Sequence, residues 1–426
     1  MQIQVKKQVQ EQQKKRKFNW KKMLMIFGGI SVLLVVVVAV LGFLSSTPLT
    51  KAQATEHLNN YFSKIAEKAG KEGNDHFSGV QVQVLSRGKD LNFSYSSGIG
   101  KRLEGSIDAN NLDGLTAETP FHVASVGKLM TATLIYQLID TGKLTLDQPV
   151  ESILPEAMLD KLFVLGEEDY RSQVTIEQLL AHTSGVADYF GGPVVSGKTM
   201  AVILKEEPNR LWRPDDLLAF SRDFQVPNGV PGAGYHYSDT GYILLGKIVE
   251  VVTGDTFERA LTEQIFEPLN MTDTYMMMRQ EPLSGNKAPI ADIWLEGEEM
   301  GDRNSLSVDW AGGGLISTLK DLTAFSDALH GGKLIADSSY KAMFSDRHVF
   351  EQGIYTGAGG MTLHFEKFFP LLKLPKINGH IGVLSTHVFY DAISDTHIVM
   401  NFGSTDKMVA SFTALIEIMN TLGRIK

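Results

Sequence analysis

Length, composition and charge already exclude several classes of protein. The chain has 426 residues, a formal net charge of −9 and no cysteine. Without cysteine there can be neither a disulfide framework nor a thiolate metal site, and an acidic chain argues against a nucleic-acid partner. No His-Glu-x-x-His or comparable ligand spacing occurs, so the sequence predicts no metal site.

The charge is distributed unevenly along the chain. Residues 1–22 carry eight basic side chains and one acidic one, a balance of +7, so the remaining residues carry −16. Residues 23–44 contain no charged side chain, and about 20 apolar residues suffice to cross a bilayer. Because the basic flank stays on the cytoplasmic side, we predict a cytoplasmic tail (1–22), a transmembrane helix (23–44) and an extracytoplasmic domain (45–426). The protein is then a single-pass protein of the cell membrane.

A cleaved signal peptide is the alternative for this segment. Ala52-Gln53-Ala54 resembles a signal-peptidase site. The apolar run is longer than a usual signal core, however, and this tripeptide lies well beyond its end. The sequence therefore favours a retained anchor.

The extracytoplasmic part has β-strand patterns towards both of its ends and mostly helical patterns between them. About 380 residues are long for one compact core, so we expect two lobes or a domain with a large insertion. A helix over 55–69 is followed by a predicted hairpin of strands 80–84 and 91–95, then by helices and loops to about residue 310. Strands are predicted again at 360–365, 383–390 and 397–402, and a last helix at 408–422. This order predicts an α/β (α+β) fold in which an antiparallel sheet, flanked by helices, carries an inserted, mostly helical lobe.

One stretch, Phe121 to Lys128, joins a possible nucleophile to a possible base. It precedes an apolar helix that Gly142 terminates. Ser125 is predicted on the first helical turn and Lys128 three residues later, so that both side chains project from one face. A serine needs a base to become nucleophilic, and a lysine can be that base only when its pKa falls far enough for it to be neutral. Burial and the positive end of the helix dipole both lower the pKa of a lysine.

The Ser-x-x-Lys spacing alone is not specific. It also occurs at five other serines: Ser86, Ser284, Ser317, Ser338 and Ser404. Of these, Ser317, Ser338 and Ser404 precede helical patterns and are predicted to be ordinary helix N-caps. Ser125 differs because its helix is buried and because two further stretches follow it downstream.

The first of these stretches is a Pro-Gly turn (231–234) that delivers Tyr237 to the start of a helix ending at Gly254. A tyrosine there can pass a proton to a leaving group; the alternative is a simple N-cap at Ser238 or Asp239, with Tyr237 packed beside it. The second stretch is 378–383, where glycines flank His380 on a predicted edge strand. Such glycines let a substrate approach the backbone, although a plain turn with a surface histidine fits the same residues.

Taken in order, the three stretches resemble the serine penicillin-recognising hydrolases, in the branch of class C β-lactamases, D-alanyl-D-alanine carboxypeptidases and esterases. That family carries Ser-x-x-Lys, Tyr-x-Asn and Lys/His-x-Gly, and this chain has 125–128, Tyr237-Ser238-Asp239 and His380-Ile381-Gly382. Segments 179–185, 237–246 and 312–318 add similarity, so that the resemblance covers about 55–422.

The resemblance implies an active site between sheet and helical lobe. Ser125 would accept the acyl group, and Lys128 and Tyr237 would share acid–base duty. The backbone amides of Ser125 and Val383 would form the oxyanion hole, and His380 beside Gly382 would favour an anionic or polar substrate group. No cofactor or metal is implied, and the partner is a small-molecule or cell-wall-derived substrate.

Asp239 departs from the family asparagine. A carboxylate accepts but does not donate hydrogen bonds. Near Lys128 it would keep the ammonium charged and move the burden of the base to Tyr237. It would also repel a substrate carboxylate, which favours esters or amine-bearing peptides over carboxypeptidase substrates. Two hypotheses follow: a membrane-anchored serine hydrolase acting on esters or D-amino-acid amides, or a binding or sensor module that has lost turnover.

Overall fold

The computed structural model describes residues 47–71, 76–99, 114–301, 303–368 and 374–426. The predicted tail (1–22) and transmembrane helix (23–44) lie outside these ranges. Within the ranges, no helix combines the length and the apolar character needed to span a bilayer.

The helices of the described residues are concentrated between the two strand-rich ends of the chain. In chain order they are α1 (Lys51–Ala66), α2 (Lys128–Asp140), α3 (Glu156–Leu159), α4 (Ile176–Leu180), α5 (Met200–Glu206), α6 (Pro214–Phe224), α7 (Asp239–Thr253), α8 (Phe257–Leu261), α9 (Leu319–His330), α10 (Asp337–Met343), α11 (Phe365–Phe368) and α12 (Met408–Arg424). A π-helical turn, Thr262–Phe266, continues α8. Short 3₁₀ turns include Ala124–Gly127, Asn304–Val308 and Trp310–Gly312.

Most strand residues belong to one sheet. The strands are β1 (Gly79–Ser86), β2 (Leu91–Gly98), β3 (Phe121–His122), β4 (Val164–Leu165), β5 (Glu168–Asp169), β6 (Tyr275–Met276), β7 (Trp294–Leu295), β8 (Glu298–Glu299), β9 (Leu315–Ser317), β10 (His348–Glu351), β11 (Ile354–Thr356), β12 (Met361–Leu363), β13 (Ile377–Gly382), β14 (Thr386–Asp391) and β15 (Thr396–Asn401). Over the described ranges the main sheet has eight strands, in the order β10-β11-β12-β13-β14-β15-β1-β2.

This sheet joins the two ends of the chain, as predicted. All its neighbouring strands run antiparallel. The first hairpin (β1 and β2) adds to β15 through the pairing of Gln81 with Asn401 and of Ser86 with Thr396. The helical lobe is therefore an insertion between β2 and β10, and the antiparallel sheet with an inserted lobe is confirmed.

Two hydrophobic clusters hold the sheet between layers. One lies on the face covered by α1 and α12, and includes Phe62, Val82 and Leu415. The other contains Val388 and Val399 of the sheet, and continues through α9 into the helical lobe. Ten of the 13 residues of α2 are buried, and seven of them belong to this second cluster. Full burial of one Leu or Ile side chain contributes about 1.5–3 kcal/mol. The helix that follows Ser125 is thus the centre of a packed core.

Local signals explain where the helices begin and end. Thr50 and Gln53 form a reciprocal capping box, so α1 starts at Lys51, four residues before the predicted start. α7 ends at Gly254, whose φ of +74° favours glycine. Of the serines predicted as N-caps, Ser404 accepts a hydrogen bond from the Asp406 amide as a cap does. The prediction is wrong for Ser317, because Thr318 caps α9, and for Ser338, which lies inside α10.

The strand prediction near residue 380 is also corrected. The predicted strand 383–390 begins at Thr386, and 377–382 is a separate strand, β13. β13 is not at the edge of the sheet, since β12 and β14 pair with it on either side. Its pairing with β12 stops at Gly379, however, whereas β14 continues alongside to Gly382. Only the first half of β13 is therefore paired on the side of β12. The local sequence pattern does not reveal this, because the pairing involves residues outside the strand itself.

Candidate active site

Ser125 lies on a 3₁₀ turn (Ala124–Gly127) that leads directly into α2, not on the first α-helical turn. Ala124, just before it, has a φ of +50°, a conformation that is uncommon outside glycine. The Ala124 amide donates to Nδ1 of the buried His122 at 3.1 Å. Burial lowers the pKa of His122 to about 4, so the ring is neutral and can accept this hydrogen bond. His122 was not singled out from the sequence, although it holds the turn that presents Ser125.

Lys128 reaches Ser125 as predicted. Its Nζ lies 3.2 Å from Ser125 Oγ, and its side chain is 0% exposed. The same Nζ donates to the Gly312 carbonyl at 2.6 Å and lies 2.5 Å from Asp239 Oδ1. A buried ammonium is tolerated only when its charge is paired and its protons are bonded, and these contacts meet both requirements.

The charge state of Lys128 differs from the one that its buried helix position suggested. Burial lowers the pKa of Lys128, but the charges of Asp239 and Asp309 outweigh burial and raise the pKa above its ordinary value. This direction agrees with the expectation drawn from Asp239, that a carboxylate here keeps the lysine charged. In the resting site Lys128 is therefore an ammonium and not a free base.

Tyr237 is the second group on the serine. Its hydroxyl donates to Ser125 Oγ at 3.0 Å. Burial and the charge of Asp239 raise the pKa of Tyr237 well above its ordinary value. This direction does not support the expectation that Tyr237 takes over as the base, because a phenol with a raised pKa keeps its proton at neutral pH.

His182 fixes the orientation of Tyr237. The two rings stack with centroids 4.3 Å apart, and His182 Nδ1 accepts a hydrogen bond from the Ser238 amide at 3.1 Å. Ser238 in turn caps α7, as the sequence allowed. His182 belongs to the 179–185 segment that was noted for its family similarity, but its packing under Tyr237 was not predicted.

A glycine loop closes the site from the side of β9. A Cβ atom on Gly313 would lie 2.0 Å from the Ala124 carbonyl oxygen, and the φ of Gly313 is +147°. Only glycine lets the 312–314 backbone approach the Ser125 turn this closely. The approach is what brings the Gly312 carbonyl to Lys128.

Two further carboxylates surround the Lys128–Asp239 pair. Burial and the charge of Asp239 raise the pKa of Asp188 to about 7, although Asp188 accepts hydrogen bonds from the amides of Asp239, Phe190 and Gly191. Burial raises the pKa of Asp309 to about 7 as well, with Lys128 opposing the shift and Asp239 adding to it. Neither residue lies in a recognisable motif, and only the tertiary structure reveals them.

The predicted third motif lies beside the serine turn. A Cβ on Gly382 would lie 2.8 Å from the Val123 carbonyl oxygen, so β13 packs directly against this turn. Val383 follows in the turn between β13 and β14 and is 42% exposed. Its amide and that of Ser125 remain the predicted oxyanion hole.

His380 is buried rather than on the surface. Burial, with a smaller effect from the charge of Lys128, lowers the pKa of His380 to about 3. Its Nδ1 accepts a hydrogen bond from the Ile381 amide at 2.9 Å. A neutral imidazole cannot attract an anionic substrate group by charge, so of the two options predicted for it only the polar one fits.

Aromatic side chains border Tyr237 on the side of β10. The Phe350 ring meets the Tyr237 ring edge-on at 6.0 Å, and His348 stacks on Tyr235 at 5.6 Å. Phe350, Tyr237 and Ile381 pack against the same hydrophobic cluster. As for metals, the described ranges contain no group of three or more His, Asp or Glu side chains that could hold a metal ion.

Comparison with known proteins agrees with this architecture. The Beta-lactamase family model matches residues 60–414. A putative penicillin-binding protein, PbpX of Bacillus subtilis (strain 168), is 26% identical over 82% of this chain and 85% of its own length. A D-amino acid amidase from Ochrobactrum anthropi SV3, solved with L-phenylalanine amide, superposes with a TM-score of 0.65 at 22% identity and covers 86% of this chain and 99% of that one. The amidase supports the fold alone.

Other relatives match over less of their length. Lovastatin esterase of Penicillium rubens is 29% identical over 44% of this chain and 47% of its own length, and a further relative, 35% identical, is matched over 39% of its length. Family and fold together define one class, the hydrolases of the β-lactamase, penicillin-binding-protein and esterase type. The chain belongs to the Beta-lactamase family.

Proposed function

We propose that the protein is a membrane-anchored, outward-facing serine hydrolase that forms an acyl-enzyme on Ser125. One observation carries the proposal: Lys128 and Tyr237 both contact the hydroxyl of this serine, at 3.2 and 3.0 Å. Six serines of the chain have the Ser-x-x-Lys spacing. Within the described residues, Ser125 is the one whose hydroxyl contacts both a lysine and a tyrosine.

Each residue has one part in the reaction. Ser125 Oγ attacks the carbonyl carbon and releases its proton towards Lys128, while the amides of Ser125 and Val383 receive the developing oxyanion. Tyr237, held protonated by burial, donates its proton to the departing group and recovers one from the Lys128 side. Water then enters by the reverse sequence and releases the acid.

The favoured substrates are esters of apolar, uncharged acids. The charge of Lys128 is taken up by Asp239, and His380 is neutral at ordinary pH. Neither residue therefore offers a free cation for a substrate carboxylate. Phe350 and Ile381, next to Tyr237, supply an apolar surface for the acyl group. A relative named lovastatin esterase supports the same preference, while D-amino-acid amides remain the second choice.

The proposed anchor is residues 23–44. Helix α1 supports retention over cleavage, because Ala54 is fully buried in it and Gln53 belongs to its capping box. Cleavage after Ala54 would remove the cap and the first turn. Capping interactions of this kind contribute about 1 kcal/mol.

A non-catalytic sensor is the second candidate. The charge state of Lys128 favours it, since a lysine whose pKa is raised has no lone pair with which to activate Ser125. Such a protein would bind acyl compounds without turning them over.

Turnover assays separate the two candidates. The full chain in detergent is offered p-nitrophenyl esters, a D-alanyl-D-alanine peptide and benzylpenicillin, with Ser125→Ala as the control. We expect multiple turnovers of the esters, slower reaction of the carboxylate-bearing compounds and none in the variant. Stoichiometric binding without product release would support the sensor.

Protease accessibility tests the topology. Protease added to intact cells should digest the chain beyond residue 44 and spare an epitope tag placed before residue 23. A mature protein whose first residue follows Ala54 would instead establish secretion.

A further inference from the structure

The resting site contains no group ready to take the serine proton. Lys128 has three N–H donors as an ammonium. Its Nζ donates hydrogen bonds to Ser125 Oγ and the Gly312 carbonyl and forms an ion pair with Asp239 Oδ1. As an ammonium it has no lone pair to offer the serine.

The serine hydroxyl is constrained in the same way. A hydroxyl has two acceptor lone pairs, and Ser125 Oγ receives hydrogen bonds from both Lys128 and Tyr237. Its proton can leave towards one of these partners only if that partner gives up a proton of its own. Tyr237 holds its proton firmly, which leaves Lys128.

Only one neighbour of Lys128 can receive that proton. A backbone carbonyl such as that of Gly312 is not protonated near neutral pH, whereas a carboxylate is a base. Asp239 Oδ1 is the ion-pair partner of Nζ, 2.5 Å away, and is therefore within reach of an ammonium proton. Asp239 is also only 6% exposed, so water does not compete strongly for its lone pairs.

We propose that Asp239 is the proton acceptor behind Lys128 in the acylation step. This inference rests on the proposed function, that Ser125 attacks a carbonyl carbon. As the Oγ–C bond forms and the carbonyl π pair moves to oxygen, the Ser125 proton passes to Lys128 Nζ, and one Nζ proton passes to Asp239 Oδ1. Lys128 remains an ammonium throughout. When the C–O bond to the leaving alcohol breaks, Tyr237 protonates the alcohol and regains a proton from Lys128, which recovers its own from Asp239.

Asp309 lies close to this acceptor. A Cβ atom added to Gly312 would lie 3.0 Å from Asp309 Oδ1, 3.4 Å from Asp239 Oδ1 and 3.6 Å from Lys128 Nζ. The three groups therefore surround one small volume. Two carboxylates in such a volume repel each other, and a proton on Asp239 relieves that repulsion.

An asparagine at position 239 could not do this, because an amide does not accept a proton. With Asp239→Asn the active species would have to be neutral Lys128, formed only above the pKa of the lysine. The aspartate thus replaces a requirement for neutral lysine by a transfer within an ion pair.

The test is the pH dependence of the acylation burst with a p-nitrophenyl ester, whose leaving group needs no proton. For the full-length wild type we expect a burst rate that is already maximal at pH 7. In Asp239→Asn the rate at pH 7 should fall by at least tenfold and the acid limb should move up by about two units, with recovery near pH 10. Asp321→Asn is the matched control: Asp321 is another buried carboxylate in the first turn of a helix, α9, and its loss should leave the pH profile in place.

Other outcomes would overturn the inference. Suppose that the wild-type rate climbs through pH 10 and that Asp239→Asn is faster at pH 7. Neutral Lys128 is then the base, and Asp239 only lowers the fraction of Lys128 that is neutral. An equal shift in Asp321→Asn would reduce the effect to general loss of a buried charge. A burst that persists in Ser125→Ala would reject the proposed function itself.

A proton inventory in mixed H₂O and D₂O serves if Asp239→Asn does not fold. Two protons moving in one step give a curved plot of burst rate against deuterium fraction in the wild type. A linear plot, which indicates one moving proton, would contradict the inference without recourse to any variant.

Discussion

Two of the six Ser-x-x-Lys matches, at Ser125 and Ser317, lie near each other in the fold but have opposite environments. Ser125 and Lys128 lie on a 3₁₀ turn and the start of α2, and their side chains meet at 3.2 Å. Ser317 is the last residue of β9 and bonds to Thr274, while Lys320 is exposed on α9. Ser317 even pairs with Phe121 across β3 and β9, so the two motifs share one small sheet.

The difference shows what the spacing needs in order to become a site. Residues i and i+3 face each other only when a helical turn connects them, and in the second match a strand end intervenes. Burial adds a second requirement. A buried lysine needs a carboxylate to pair its charge, and a buried serine hydroxyl needs a hydrogen-bond partner, which here is the tyrosine. The chemistry thus depends on backbone conformation and on partners that are distant in sequence.

Removing each serine gives the largest contrast. Ser125→Ala should lower kcat/KM for p-nitrophenyl esters by about 10⁴-fold or more, since nothing replaces the nucleophile. Ser317→Ala removes only the hydrogen bond to Thr274, so it should lower the free energy of unfolding by about 1 kcal/mol and leave esterase activity largely intact. Equal losses of activity in the two variants would contradict the assignment of Ser125, and not Ser317, as the nucleophile.

Removing each lysine comes next. Lys128→Met leaves Asp239 buried without its ammonium, so we expect a loss of about 3–5 kcal/mol in the free energy of unfolding and of about 10³-fold in kcat/KM. Lys320→Met, on the exposed face of α9, should change stability by less than about 0.5 kcal/mol. Urea denaturation and ester hydrolysis measure both quantities. A fully stable Lys128→Met protein would contradict the ion pair.

The Tyr237 hydroxyl is a further difference between the two motifs, because it contacts Ser125 and not Ser317. Tyr237→Phe keeps the stacking on His182 but removes the donor to Ser125, and we expect kcat/KM to fall by about 10²-fold for alkyl esters, whose leaving group needs a proton. The loss should be smaller for p-nitrophenyl esters. Tyr189→Phe is a suitable control, because its buried hydroxyl bonds to the Val308 carbonyl instead. A loss that does not depend on the leaving group would assign Tyr237 a purely structural part.

The last prediction concerns the pH dependence of stability and His122, which holds the turn before Ser125. Burial lowers the pKa of His122 to about 4, so below pH 6.5 the unfolded chain binds a proton that the native state refuses. Stability should therefore fall as the pH drops from about 6.5 to about 4, by up to about 3 kcal/mol from this residue. In His122→Asn that part of the acid destabilisation should disappear. Parallel stability curves for the two proteins between pH 7 and pH 4 would show that His122 does not titrate as expected.

Sequence patterns predicted much of the fold for identifiable reasons. The alternation in β1 and β2 and the apolar face of α2 are local, and the order of three motifs was enough to bring Ser125, Lys128 and Tyr237 together. The resemblance to the family, and not a local pattern, also placed Asp239 near Lys128. The Ser317 cap was wrong by one residue, as is common at helix ends.

What the sequence could not supply depends on tertiary contacts. Asp188, Asp309 and His122 have no spacing that marks them, and they reach the site through the loop after α4, the turn before Gly312 and the short strand β3. The half-covered edge of β13 exists because β12 stops pairing at Gly379. The charge states of Lys128 and Tyr237 follow from this enclosure, and for that reason the base could not be assigned from motifs alone.

The most direct test of the account is to find where the acyl group goes. The full-length protein is mixed with a p-nitrophenyl ester, quenched in acid within the burst phase, digested and analysed by mass spectrometry. The account predicts one acylated peptide, the one that contains Ser125, and its absence in Ser125→Ala. Ester turnover accompanied by an adduct on any other residue, or by no adduct at all, would contradict it.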